Sequence, residues 1–383
     1  MKRHYCTYFD KNYLVKALAM IESLSMHEKG EFVLFAVCLD ELTRLTMEKL
    51  HLPNVIAVPL HEIERNDRQL QAAKKNRTLV EYYWTLTPTV IERIFEMAAD
   101  AEVVTYLDAD LFFYSSPDPI FRELSGNSVL IHGHRFSPEL AELETYGKYN
   151  VGLLCFRNDS SGRQALDWWR DRCIEWCYDR IEDGKYGDQL YLNDWPERFA
   201  NTRVLENIGA GVAPWNHAQY GYSCTQQGNV LVDAMPLVFY HFHAFTFVTP
   251  DIVIPAKIPH YLLKEEILRL IVLPYLYALS RAIDTCRQVF PDFNSGLCND
   301  KVLTNALTFV ARKELASAIR EAGITHPQVE LDAAWNCYYT KQMNQLAAGP
   351  SPGEFEANHA VPPPPLRPRH LPKANWPTNG LTV

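Results

Sequence analysis

The chain has 383 residues, 47% of them hydrophobic and 22% charged, with a formal net charge of −9. That length holds one large domain or two with a real core, and the composition excludes wholesale disorder. The acidic balance argues against sequence-independent binding to a nucleic-acid backbone; a site that handles phosphates here needs a local counter-charge, for which a bound metal ion is the obvious means.

Strands and helices alternate through the first half. His4–Phe9 reads as a short apolar strand, followed by Asp10 and by helical periodicity from Leu14 to Leu24. Glu31–Cys38 reads as a buried strand, Glu41–Leu50 as a helix, Asn54–Leu60 as a strand, Val80–Ala99 as a helix and Glu102–Leu107 as another strand. This alternation predicts an α/β fold with a mostly parallel, twisted sheet and helices on both faces, in which ligands bind beyond the carboxyl ends of the strands.

Further on, strands are expected near Ser128–His132 and Asn150–Phe156, a helix over Arg163–Arg180, and short strands near Val204, Val230 and Pro236–His241. The first domain is thus placed at residues 1–258. Residues 259–347 read as a C-terminal helical appendage, and 348–383 as a Pro-rich tail holding 9 of the 24 prolines, extended or disordered unless Phe355 and Trp376 drape it over the body.

Nine scattered cysteines, none at CxxC spacing, indicate a reducing compartment and no zinc site. The first residues lack a signal-peptide core, and the longest charge-free apolar stretch, between Arg269 and Arg281, contains Pro274 and is too short to span a bilayer. A cytoplasmic protein is therefore expected. Tyr261–Ile283 reads as a core-packing helix, with an interfacial anchor as the alternative, which leaves peripheral association at the inner membrane face open.

The strand Val103–Leu107 ends abruptly in Asp108-Ala109-Asp110. Two carboxylates this close are costly without a counter-charge, and a divalent cation bridging a diphosphate would supply it. The bland alternative is an Asp-rich surface turn. Haloacid-dehalogenase-type phosphatases also carry Asp-x-Asp after an apolar strand, but with Thr or Val two residues beyond, where this chain has Phe112.

Tyr106-Leu107-Asp108-Ala109-Asp110 resembles the Asp-x-Asp motif of nucleotide-sugar glycosyltransferases of GT-A fold, above all the retaining family 8 type and its bacterial surface-polysaccharide relatives. Four further segments match in order: Cys6-Thr7-Tyr8-Phe9-Asp10-Lys11-Asn12-Tyr13, Tyr149-Asn150-Val151-Gly152 with Asn158, Gly187-Asp188-Gln189, and Tyr240-His241-Phe242-His243. Together they cover roughly residues 3–250. The resemblance implies transfer of a sugar from a nucleotide donor, a UDP-sugar first, to a glycan or lipid-linked acceptor, with retention.

It also implies roles. Asp108, Asp110 and His241 would hold Mn²⁺ or Mg²⁺ against the donor diphosphate, with His243 as the rival to His241 because both face one side of a strand. Asp10, Asn12 and Tyr13 would hold the nucleoside, with backbone contacts from Tyr8; an Asp10 helix cap and a core-facing Tyr13 are the alternative. Asn150 would bond the donor sugar, and Gly152 would let the ligand approach the backbone or serve packing alone. Asp188 would fix sugar hydroxyls and Gln189 lie near the anomeric carbon, unless Asp188 merely favours a helix start. With inversion instead, Asp188 or an acid within Glu139–Glu144 would be the general base.

His132, His134 and Arg135 follow a predicted strand, with Arg135 as a candidate phosphate cation; Trp215 is a sugar platform or a core residue. Two departures from the family pattern stand out. Ala244 occupies the position of a Gly three residues after the His, and no Lys-Pro-Trp follows, Lys257 being the next Lys. Tyr82-Tyr83-Trp84-Thr85 also lacks the Arg that the family often places before the Asp-x-Asp strand. A sugar-nucleotide-binding protein without turnover and a metal-dependent phosphohydrolase remain as alternative functions.

Overall fold

The computed structural model describes residues 2–256, 263–298, 308–321 and 327–339. In chain order the first strands are β1 (Arg3–Phe9), β2 (Phe32–Cys38), β3 (Val55–Pro59), β4 (Val103–Leu107), β5 (Leu111–Phe113), β6 (Val129–Gly133), β7 (Tyr149–Arg157) and β8 (Thr202–Leu205). Seven of them form the central sheet in the order β3-β2-β1-β4-β7-β6-β8. The pairs β1/β2, β2/β3, β1/β4 and β6/β8 are parallel, and only β7 runs against its neighbours. The mainly parallel α/β sheet expected from the sequence is thus present.

The reason lies in the strand sequences. Phe32-Val33-Leu34-Phe35-Ala36-Val37-Cys38 is apolar throughout because both faces are covered. Phe32, Leu34, Ala36 and Cys38 enter one core, with the helix Leu14–His27. Val33, Phe35 and Val37 enter the other, with the helices Leu79–Met97 and Ser160–Glu175. The helix Leu79–Met97 begins in a complete capping box, Thr78 with Glu81.

The remaining strands leave the central sheet. They are β9 (Ala210–Val212), β10 (Tyr222–Cys224), β11 (Val230–Val232), β12 (Met235–Pro236), β13 (Phe239–His241), β14 (Thr246–Thr249), β15 (Ile252–Ile254), β16 (Thr308–Arg312), β17 (Pro327–Glu330) and β18 (Trp335–Tyr339). The expected strands near Val230 and at Pro236–His241 do not extend the central sheet. They fall into a β10-β11-β12 meander and a three-stranded β5-β13-β9 sheet.

The helical reading of 259–347 is corrected in its second half. The segments Glu265–Ile267, Leu268–Val272 and Leu273–Val289 form a run of helix whose Ile267, Leu268, Ile271, Tyr275, Leu279 and Ile283 are buried. The segment therefore packs as core, and no helix among the described residues is long and apolar enough to cross a membrane. Beyond it, β16, β17 and β18 join β14 and β15 in a five-stranded sheet, which straddles the boundary expected at residue 258. Alternation explains the strands: Phe309, Ala311 and Tyr338 fill a small core with Ile252 and Ile254, whereas Val310, Trp335 and Cys337 turn to the main one. The Pro-rich tail, 348–383, lies outside the described residues.

Candidate active site

The acid pair sits where the chain changes sheets. β4 ends at Leu107, the turn Asp108-Ala109-Asp110 follows, and β5 leaves to pair with β13 in antiparallel register, Leu111 opposite His241. Asp108 N–H donates to Gly152 C=O at 2.8 Å, and Phe242 N–H donates to Asp110 C=O at 2.9 Å. This pairing carries His241 to the acids. Its Nε2 lies 3.1 Å from Asp110 Oδ1 and 3.6 Å from Asp108 Oδ2, and one ligand atom from each of the three residues falls within 4.8 Å of the others.

Two carboxylates and one imidazole nitrogen are a donor set suited to Mn²⁺ or Mg²⁺. The surroundings fit that use. Among the described residues, His241 Nδ1 is buried without a hydrogen-bond partner. Tyr106 Oη donates to Asp108 Oδ1 at 2.7 Å, which fixes the carboxylate's orientation. A Cβ at Gly152 would lie 2.9 Å from His241 Cε1 and Nδ1, so glycine is what admits the ring. The expected close approach at Gly152 is thus made by a protein side chain. His243 stands apart, its ring centroid 6.1 Å from that of His241, outside the three-residue set.

Charge is arranged around these groups. Burial raises Asp110, but His241, Lys16 and His243 outweigh it and hold the carboxyl well below the usual range. Burial in the cleft wall raises Asp108, helped by Asp110 and opposed by His241. Burial lowers His241, but Asp110 and Asp108 reverse the shift and leave it raised. Burial pushes His134 down to about 3 and His243 down to about 4. Lys16 was not anticipated. It is buried, its Nζ donates to Phe245 C=O at 2.9 Å and lies 4.3 Å from the centre of the Tyr13 ring. A lysine among apolar helix positions gives no local sign that it reaches an acid pair.

These groups open into a cleft of about 1150 Å³. Tyr8, Asp10, Asn12, Tyr13, Asp108, Asp110, Asn150, Asp188, Gln189 and His241 all line it, so the structure brings together nearly every residue singled out from the sequence. Asp10 Oδ1 accepts from Asn12 N–H at 2.9 Å and Tyr13 N–H at 3.3 Å, so it also caps the turn before the first helix. Tyr13 is 44% exposed, and the core-facing alternative fails. Tyr8 lines the cleft, and its hydroxyl lies 3.0 Å from Thr87 Oγ1.

Asn150 is held from three directions. Its Oδ1 accepts from Gly152 N–H at 2.8 Å; its Nδ2 donates to Gln189 Oε1 at 3.2 Å and lies 3.2 Å from His134 Nε2. Gln189 Nε2 in turn donates to Tyr146 C=O at 3.1 Å. Asp188 is buried, accepts from Thr87 Oγ1 at 3.0 Å, and is pushed up to about 7 by burial, with the Asp108 charge adding to the shift. Trp215 is buried with its ring edge-on to His241 at 5.2 Å and also borders the cleft.

Arg135 is not brought to the site. At φ 50° its guanidinium turns away from the cleft and donates to Asn207 C=O at 3.1 Å and to Ala210 C=O. A phosphate-binding role for it loses its geometric basis.

Residues 5–198 match the model of Glycosyl transferase family 8. The uncharacterized protein YfnD of Bacillus subtilis (strain 168) is 35% identical over 76% of this chain and 94% of its own. YfnF of the same strain is 34% identical over 65% of this chain and 84% of its own. Among solved structures, a galactosyltransferase LgtC in complex with donor and acceptor sugar analogs is 14% identical, covering 75% of this chain and 96% of that one at a TM-score of 0.45. The family match spans the strands that set the acid pair and the segment carrying Asp188, and the chain belongs to glycosyl transferase family 8 and is a glycosyltransferase.

Proposed function

We propose that this cleft transfers a sugar from a nucleoside-diphosphate donor, UDP-sugar first, to a glycan or lipid-linked acceptor, with retention of anomeric configuration. The observation that carries the reading is the convergence of Asp108, Asp110 and His241, with ligand atoms within 4.8 Å, in the lining of a cleft of about 1150 Å³, large enough for a sugar nucleotide and an acceptor. Those three residues would hold Mn²⁺ or Mg²⁺, which when bound supplies Lewis-acid neutralisation of the leaving diphosphate.

The chain's own groups take the other roles. Asp10 and Asn12 offer acceptor and donor atoms for base edge or ribose hydroxyls, and the exposed Tyr13 ring offers a stacking face. Asn150, held by Gly152 and Gln189, gives the donor-sugar side a fixed amide. Asp188, shifted to about 7, can hold a proton or accept from a sugar hydroxyl near neutrality, and Gln189 lies beside it. Retention places no demand for a strong base beside the acceptor.

The test is UDP release from a panel of UDP-sugars, with and without Mn²⁺ and with a bacterial glycan extract as acceptor. The reading predicts metal-dependent release with one sugar, and a product whose anomeric proton coupling in NMR matches the donor. Phosphate release from an aryl phosphate, abolished by Asp108→Ala, would instead assign a phosphohydrolase. Metal-dependent UDP affinity with no release under any acceptor would assign a binding protein.

A further inference from the structure

The mouth of the cleft is apolar where a pure carbohydrate site would be polar. Ten large apolar side chains are exposed among the described residues, and five of them, Tyr13, Leu79, Val80, Tyr146 and Ile181, line this one cavity. Leu79 is 61% exposed, Val80 51% and Ile181 48%. Scattered exposed aliphatics are ordinary, whereas several gathered at one rim mark a binding surface.

This lip is built rather than loose. Leu79 and Val80 open the capped helix Leu79–Met97, and the segment bearing Ile181 is tied to that helix start. Asp179 N–H donates to Glu81 Oε1 at 2.9 Å, and Arg77 Nη1 donates to Tyr178 Oη at 2.7 Å. Gly187, at φ 52°, has its N–H on Tyr178 C=O at 3.0 Å and closes the loop against Trp84. Hydrogen bonds thus hold branched hydrocarbon side chains out in water in the lining of the cleft.

We propose that Leu79, Val80 and Ile181 bind the apolar aglycone of the acceptor, so that the acceptor is a sugar carried on a hydrocarbon chain. The inference rests on the transferase reading above and narrows its acceptor. Sugar rings are recognised by aromatic faces and hydrogen bonds, which Trp84 and Tyr186 at the same wall can supply. Leu, Val and Ile add no polar atom and match hydrocarbon. Charge favours a single chain over a membrane face. In the two segments that form the lip, Lys74, Lys75, Arg77, Arg180 and Lys185 are offset by Glu81, Asp179, Glu182, Asp183 and Asp188, and Arg180 is paired with Glu182 at 2.7 Å, so the rim lacks the net positive charge that holds proteins on anionic bilayers.

The experiment titrates methyl and n-octyl β-D-glucopyranoside, and the matching galactopyranosides, into full-length protein saturated with UDP and Mn²⁺, all below the micellar concentration. The inference predicts at least tenfold tighter binding of the octyl compounds, and a ratio below about three in the Leu79→Ser/Ile181→Ser double variant. Equal affinities for methyl and octyl, or an octyl preference that the double variant keeps, overturn it. Sedimentation with phosphatidylglycerol vesicles that the double variant loses, without an octyl preference, overturns it in favour of a membrane-docking lip. Failure of UDP to bind at all overturns the transferase reading, and this inference with it; UDP binding without chain-length dependence overturns this inference alone.

Discussion

Gly152 and His241 fit together as a residue without a side chain and the ring that occupies its place. A Cβ at 152 would lie 2.9 Å from two atoms of the imidazole and 2.6 Å from Asn150 Oδ1. Gly152→Ala must therefore displace His241, Asn150 or both. Overpacking of this kind costs about 1–3 kcal/mol, and disturbing the support of a metal ligand weakens metal binding roughly 10–100-fold. Titration calorimetry with Mn²⁺ checks this; unchanged affinity would mean that His241 is not a ligand.

Lys16 makes the opposite prediction. It is a buried cation that pulls Asp110 down, so it occupies electrostatic ground that a metal ion would share. Lys16→Met is expected to bind Mn²⁺ alone more tightly, on the order of threefold to tenfold. The metal-free fold should lose about 1–3 kcal/mol, because Phe245 C=O loses its donor. Weaker Mn²⁺ binding would show that Lys16 supports the site through shape and not charge.

Arg135→Met separates structure from phosphate binding. Its guanidinium serves the carbonyls of Asn207 and Ala210, so the variant should lower Tm while UDP affinity in Mn²⁺ changes less than about twofold. A tenfold loss of UDP affinity at unchanged Tm would restore the phosphate role.

Asp188 sets a pH dependence. Its ordinary value is 3.8 and its folded value about 7, so the folded chain holds this proton more tightly than the unfolded chain. The stability contribution is complete below about 3.8, is lost as pH rises through 7, and leaves the ionised group strained above that. Asp188→Asn keeps an oxygen for Thr87 and never ionises. It should gain roughly 1–3 kcal/mol, or several degrees in Tm, at pH 8 and little at pH 4.5. The same Tm difference at both pH values would contradict the assigned burial.

Much of this was legible in the sequence for identifiable reasons. β2 announces itself because a parallel strand covered on both faces is apolar throughout, β1 and β4 because polar residues interrupt their apolar runs only briefly, and Asp108 and Asp110 because β4 stops in charge. His241 and His243 could not be separated by strand alternation; pairing of β13 with β5 separates them. Lys16 lies among apolar helix residues, and only tertiary packing brings it to Asp110. β16 and β18 were hidden among residues that also suit helices, since their alternation spans just five positions each. The lip formed by Leu79 and Ile181 joins segments about a hundred residues apart, and local pattern does not encode exposure.

In the proposed reaction Asp108, Asp110 and His241 hold a divalent ion against the diphosphate of a nucleotide donor. Thermal unfolding of the wild type and Asp110→Ala in UDP, with Mn²⁺ or with chelator, is the decisive measurement. At UDP about 100-fold above its Kd the linked stabilisation is about 2.7 kcal/mol, which predicts a rise in Tm of several degrees that needs Mn²⁺ and disappears in Asp110→Ala. Stabilisation by UDP that survives chelation, or that persists in Asp110→Ala, would show that UDP binds without a metal ion held by these residues.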